Sequence, residues 1–252
     1  MNPEKETVRI AAVADIHVKK TGQGSMHAIF GRATEEADVL LLCGDLTDYG
    51  AVEEAKILAK EITSSLRIPA IGVLGNHDVE SDHEKEIVQI MTDAGVVMLD
   101  GDAHEVHGVG FAGVKGFGGG FGRRQLGAWG EKIIKAFVHE AIEEALKLES
   151  ALARLRTPQK IAVLHYAPIA ATVVPEPPEI MPFLGSSRLE DPIDRYRCTA
   201  VFHGHAHRGT AEGRTKMNVP VYNVAMPLLL ATYPDRPPFR VVEVPVHEAK
   251  VA

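Results

Sequence analysis

Residues 38–50 read DVLLLCGDLTDYG. Positions 38–43 are almost continuously apolar and rich in Leu. A run that short and that unbroken is the pattern of a strand covered on both faces. It stops at Gly44, where a missing Cβ permits a sharp turn. Two carboxylates follow, Asp45 and Asp48. In open α/β sheets ligands bind at the carboxyl ends of the strands, so this stretch predicts both a buried strand and the start of a site.

The same arrangement recurs in both directions. VRIAAVA (8–14) leads into Asp15-Ile-His17. IPAIGVL (68–74) leads into Gly75-Asn76-His77-Asp78. KIAVLH (160–165) ends in His165, and TAVFH (199–203) is followed by Gly204-His205-Ala-His207. GVVMLD (95–100) is a sixth run of this type. Five strand ends carrying Asp, His and Asn are expected to converge. His203 precedes the turn glycine and is expected to lie within the sheet as a structural residue.

Helical spacing fills the intervals. Residues 51–66 repeat Ile57, Leu58, Ile62 and Leu66, residues 82–94 form a second pattern, and residues 131–155 form the longest. Its face of Ile134, Val138, Ile142, Ala145, Leu152 and Leu155 reads as packing against a sheet. Strand–helix alternation predicts an α/β layered fold with a mostly parallel sheet. VPVYNVA (219–225) and PPFRVVEVPVHE (237–248) alternate apolar residues around prolines and are expected to be antiparallel or edge strands. VVPEPPEIMPF (173–183) holds four prolines and reads as a stiff loop.

The bulk properties narrow the function classes. The chain has 252 residues, two cysteines and a formal net charge of −7. Two cysteines argue against a disulfide scaffold and fit a reducing cytosol, so a cytoplasmic location is expected. MNPEKETVRIAAVADIH lacks the basic region and long apolar run of a secretory signal, and every apolar run is far shorter than a membrane span. The acidic balance argues against broad nucleic-acid binding. Nothing in the sequence selects an oligomeric state.

Carboxylates, imidazoles and one carboxamide suit borderline divalent metals such as manganese, iron or zinc. No cysteine stands in ligand spacing, which disfavours a structural zinc site. The set is too large for one ion and suits two that share a carboxylate. Two ions about 3.5–4 Å apart would activate a hydroxide and clamp a phosphoryl group.

The series D-x-H, G-D-x-x-D, G-N-H-D, a lone His after a strand, and G-H-x-H resembles the calcineurin-like metallophosphoesterase superfamily. The resemblance runs from Asp15 to His207. It implies a four-layer αββα sandwich in one domain, residues 1–252, with two mixed β-sheets face to face, helices outside, and the metal site at the C-terminal ends of the strands. It also implies two divalent or trivalent ions. Asp15, His17 and His207 would hold one, Asn76, His165 and His205 the other, and Asp45 would bridge them. His77 would act as general acid on the leaving group, Asp48 would orient and charge-support that imidazole, and Asp78 would structure its loop. The implied reaction is hydrolysis of a small phosphoester, nucleotide-type or other, by metal-activated hydroxide. Tyr49 stands where the protein Ser/Thr phosphatase pattern G-D-x-V-D-R-G has arginine, which favours a singly charged diester. The alternatives are a phosphomonoesterase or protein phosphatase, and a non-catalytic scaffold of the same fold.

GFGGGFGRRQLGAWG (116–130) lies between these motifs. It does not match G-x-x-x-x-G-K-[ST]. It reads either as a glycine-rich connector with solvated arginines or as a substrate loop. In the second reading Phe117 and Phe121 stack on a base or ring, and Arg123 or Arg124 meets phosphate.

Overall fold

In the computed structural model, which describes residues 6–246, all six apolar runs contain strands. Four of them, β1 (Thr7–Val13), β2 (Val39–Cys43), β3 (Ala70–Val73) and β4 (Val96–Met98), pair in parallel in that order. β11 (Arg240–Pro245) closes the outer side of β1 antiparallel. The second sheet runs β5 (Asp102–Val106), β6 (Val109–Gly113), β7 (Gln159–Val163), β8 (Ala200–His203), β10 (Pro220–Asn223) and β9 (Glu212–Arg214). Its four inner strands are parallel and its two edges antiparallel.

The unbroken character of VLLLC follows from what each face covers. Leu40 and Leu42 join Phe30 of α1 (His27–Glu36), Leu58 and Ile62 of α2 (Val52–Ser65), and Ile87 and Met91 of α3 (Glu84–Asp93). Val39, Leu41 and Cys43 turn the other way and meet Phe111, Ile161, Val163 and Phe202 of the second sheet. That sheet's outer face carries Leu148 and Leu152 of α4 (Lys132–Arg154) and Ile193 of α6 (Glu190–Arg195). Successive side chains alternate faces, so a strand between a helix layer and a second sheet must be apolar at every position. The result is the four-layer αββα sandwich with two mixed sheets.

Several elements arise where the sequence pattern indicates none. The β5–β6 hairpin turns at His107 and Gly108, both with positive φ, but its outer strand is polar and its inner strand holds two glycines. α1 has no side-chain cap and carries an internal Gly31. The proline-rich segment ends in a four-residue helix, α5 (Met181–Leu184), and α7 (Met226–Thr232) follows β10. β10 corrects the reading of 219–225: it is an inner strand, parallel to β8, because β9 covers its far side. β11 is an antiparallel edge strand as expected, and positions 247 and 248 of that stretch lie outside the described residues. No helix among the described residues is long and apolar enough to cross a membrane.

The two sheets are stitched at one end. After Val13 the chain leaves the first sheet and bridges to the second, with Ala14 N–H donating to Val224 O at 2.9 Å and Met226 N–H to Ala14 O at 2.9 Å. The carboxyl ends of β1, β2, β3, β7 and β8 all gather there.

Candidate active site

The turns at those strand ends have a common backbone signature. Asp15, His17, Asp45 and His205 all adopt positive φ, between 42° and 68°. Side-chain-bearing residues rarely occupy that region, and it costs of order 1–3 kcal/mol each. The surroundings hold it in place. Asp15 N–H donates to Gly44 O at 3.0 Å, His17 N–H to Asp45 O at 3.1 Å, and Val18 N–H to Leu46 O at 3.0 Å. Two glycines permit the close approach. A Cβ at Gly75 would overlap Asp45 Oδ1, and a Cβ at Gly204 would overlap Asp15 Oδ2.

The side chains converge. Asp15 is buried; its Oδ1 accepts from His207 Nε2 at 2.9 Å and its Oδ2 from His205 N–H at 3.0 Å. Asp45 is also buried. Its Oδ1 accepts from His77 N–H at 2.8 Å and lies 3.4 Å from His165 Nε2, while its Oδ2 lies 3.8 Å from His17 Nε2. Three groups each bring their donor atoms within 4.8 Å: Asp15 with His17 and His207, His17 with Asp45 and His77, and Asp45 with His165 and His205. Asp45 belongs to two of them.

The hydrogen bonds test whether metal fits. His165 Nδ1–H donates to Cys43 O at 3.0 Å, which leaves a lone pair on Nε2. That lone pair faces Asn76 Oδ1 at 2.9 Å and Asp45 Oδ1 at 3.4 Å. Three acceptors thus face one another, an arrangement that a cation satisfies. His17 Nδ1 is buried without a hydrogen-bond partner. Burial lowers the pKa of His17 and pushes that of His205 down to about 3, so both present neutral imidazoles, the form that binds metal. Burial raises the Asp15 carboxyl, but its hydrogen bond to His207 and the nearby imidazoles hold it below the usual range. The donor set fits borderline divalent metal.

Residues 8–209 match the family model for calcineurin-like phosphoesterase. The chain belongs to the calcineurin-like phosphoesterase family. Among solved structures, phosphopantetheinyl hydrolase from Mycobacterium tuberculosis superposes with a TM-score of 0.66 at 16% identity, covering 92% of this chain and 95% of that one. Thermus thermophilus TT1561 gives a TM-score of 0.54 at 12% identity, over 96% and 100%. Such identities speak to the fold. No curated protein sequence matches the chain.

The surroundings of His77 and Asp78 complete the site. His77 Nδ1–H donates to the main-chain carbonyl of Asp48 at 2.7 Å. The Asp48 carboxylate instead lies 3.6 Å from His17 Nδ1 and 3.7 Å from Lys19 Nζ. Asp48 thus meets His77 through two groups: the turn aims its carbonyl at the ring, and its carboxylate acts on the ring through charge, without a hydrogen bond. Burial lowers the His77 pKa, but the Asp48 carbonyl and the charges of Asp45, Glu80 and Asp48 outweigh it, so the net shift is upward. Asp78 is fully buried and accepts from Leu46 N–H, Thr47 N–H, Thr47 Oγ1–H and Gly75 N–H at 2.6–3.1 Å. It ties the Asp45 turn to the Asn76 turn. His203 is buried between Thr172 Oγ1 and Gly204 O, a structural position.

The glycine-rich loop borders this family site indirectly. Gly119 N–H donates to Pro182 O and Gly120 N–H to Gly185 O, so the loop is laced to residues 182–187, and Phe183 O in turn lies 3.2 Å from His205 Nε2. Phe117 packs on Phe137 and Tyr166, with ring centroids 4.8 and 5.9 Å apart, and Tyr166 stacks 4.4 Å from His205. Phe121 packs against Leu184 and its neighbours. Arg123 and Arg124 are exposed, without hydrogen bond or ion pair to the candidate ligands. The structure thus joins Asp15, His17, Asp45, Asn76, His77, His165, His205 and His207, and leaves the two arginines apart. Phe183, Tyr166 and Lys115 border the site although the sequence motifs omit them. Tyr166 directly follows His165, and Lys115 follows the end of β6, so a strand-end reading of VGFAGVK finds the latter. Nothing in the sequence points to Phe183.

Proposed function

We propose that the protein is a binuclear-metal phosphodiesterase whose catalytic domain is the whole chain, 1–252. The observation that carries this reading is the sharing of Asp45 between two groups of metal-type donors. Asp15, His17 and His207 hold one ion, Asn76, His165 and His205 the other, and Asp45 joins them. Manganese, iron and zinc all suit these donors. When bound, two such ions supply a nucleophile from water and a positive seat for the phosphoryl oxygens.

The chain's own residues do the rest. Asp15 stays ionised within a buried centre, and Asp45 lies buried beside it. The Asp48 carbonyl fixes the His77 ring by accepting from Nδ1–H, so Nε2 is the nitrogen that takes up the second proton of the imidazolium, favoured by the raised pKa, and gives it to the leaving-group oxygen. Asp78 holds the two turns at fixed separation. No arginine hydrogen-bonds or pairs with the candidate ligands among the described residues, and the position after Asp48 is an exposed Tyr49. A monoester dianion lacks the fixed cations it favours, which supports the diester. The substrate is a small phosphoester.

Manganese-loaded protein assayed on bis(p-nitrophenyl) phosphate and p-nitrophenyl phosphate tests this. The diester is expected to turn over faster, with two metals per chain. A faster monoester overturns the diester preference. Two bound metals with neither ester hydrolysed overturn the enzymatic reading.

A further inference from the structure

A cleft of about 500 Å³ opens beside the turn that carries His77. Leu74 and Val79, which flank Gly75-Asn76-His77-Asp78, form one wall, and Val88, Met98 and Leu99 extend it. The volume is within the range of about 300–1,000 Å³ that takes a small ligand. Lys115 connects the cleft to the candidate metal centre through one aromatic neighbour. It lines the cleft, its Nζ lies 5.4 Å from the Tyr166 ring centre, and Tyr166 stacks on His205.

Two properties define what this cleft takes. Its apolar lining is aliphatic and thioether, with no aromatic ring. Base recognition commonly uses an aromatic face for stacking, whereas Leu, Val and an adaptable Met suit a flexible alkyl chain. The charged groups around it also restrict the occupant. Lys115 is half-buried; its ammonium hydrogen-bonds Gly116 O at 3.2 Å, lies over the Phe117 and Tyr166 rings and feels the charges of Glu144 and Glu140, but makes no direct ion pair among the described residues. A partly desolvated cation of that kind gains from an anionic partner. Around the cleft as a whole, five carboxylates face three lysines. Lys147 is already engaged by Asp100 and Glu144. Glu84 and Glu140 make no ion pair among the described residues, so the cleft is unfavourable for a second anion.

We propose that this cleft binds one ester arm of the substrate, that the arm is an alkyl or aminoalkyl chain rather than a nucleoside, and that Lys115 positions the ester's anionic group at the inner end. The inference rests on the phosphodiesterase reading and specifies its substrate class.

The test uses manganese-loaded protein and p-nitrophenyl diesters whose second arm is methyl, octyl, 8-aminooctyl, 7-carboxyheptyl or 5′-thymidyl. The octyl arm is expected to exceed methyl in kcat/KM by about tenfold or more, as burying a few methylenes allows. Aminooctyl should exceed carboxyheptyl, and thymidyl should fall below octyl. Val88→Trp, which fills the cleft, should bring the octyl-to-methyl ratio close to one. Lys115→Met should raise KM with little change in kcat or metal content, and Lys115→Arg should restore much of it. A flat chain-length series, a ratio unmoved by Val88→Trp, or preference for the thymidyl arm overturns the proposal. If no ester is hydrolysed, calorimetry with octylphosphonate and methylphosphonate decides the cleft separately. Octylphosphonate should bind wild type more tightly than methylphosphonate, and Val88→Trp should abolish the difference; equal binding overturns the cleft assignment.

Discussion

His77 Nδ1–H donates to the carbonyl of Asp48, not to its carboxylate, at 2.7 Å. A carbonyl belongs to the backbone and survives any side-chain change. His77→Ala is therefore expected to keep both metals and lose about 10²–10⁴ in kcat, more for poor leaving groups than for p-nitrophenolate. Asp48→Asn is expected to cost less than about tenfold, because the ring stays oriented. Comparable losses in the two variants would place the Asp48 carboxylate, against this geometry, in the proton relay.

Asp45 is the residue shared by two donor groups. Asp45→Ala should lower bound metal from about two ions per chain to one or none, with activity lost in parallel. Elemental analysis of the purified variant reads this directly. Full metal content would remove Asp45 from the bridging position.

Asp15 and His207 share a hydrogen bond whose stabilisation depends on pH. His207 is raised above 6.5, first by the Asp15 hydrogen bond, so its contribution is full below 6.5 and lost as pH rises through the raised value. Asp15 is depressed below 3.8, so its contribution is full above 3.8 and lost as pH falls toward about 2. In metal-free protein, the Tm difference between wild type and His207→Ala should be largest between those limits and shrink above them. Metal reverses the trend, because imidazole must shed its proton to bind. The Tm gained on adding manganese should grow from about pH 5.5 to about pH 7.5. A gain independent of pH would argue against imidazole ligands.

Gly204 lies against Asp15 with no space for a methyl group. Gly204→Ala should destabilise by about 1–3 kcal/mol through overpacking and weaken metal binding by about 10–100-fold through the displaced carboxylate. Thermal melts with and without metal separate the two. Unchanged metal affinity would show that Asp15 does not need this approach.

The readable part of the molecule was the part with the strongest physical signal. VRIAAV, VLLLC and IAVL stand between two apolar layers, so their composition announces them, and the polar residues after them mark the site. The β5–β6 hairpin was hidden because DAHEV sits on an edge and needs no apolar face, while VGFAG reaches close packing with glycines. α1 was hidden by its missing cap and internal Gly31. Sequence spacing brings Asp48 near His77 but does not tell a carbonyl from a carboxylate. The pairing of Gly119 and Gly120 with residues 182–187 is a contact between distant segments, so the approach of Phe183 to His205 leaves no local trace.

The metal-type residues divide unevenly along the chain. Asp15, His17, Asp45 and Asn76 come from its first third, and His165, His205 and His207 from beyond β6. During synthesis, therefore, β1 to β4 leave the ribosome with two carboxylates and a single candidate imidazole ligand, while most of the nitrogen donors remain untranslated. The centre cannot capture its full complement of ions until β8 and the turn after it have emerged and docked. Under the binuclear reading, metal loading would be a late event in the biogenesis of this protein and would report that both halves of the polypeptide have met.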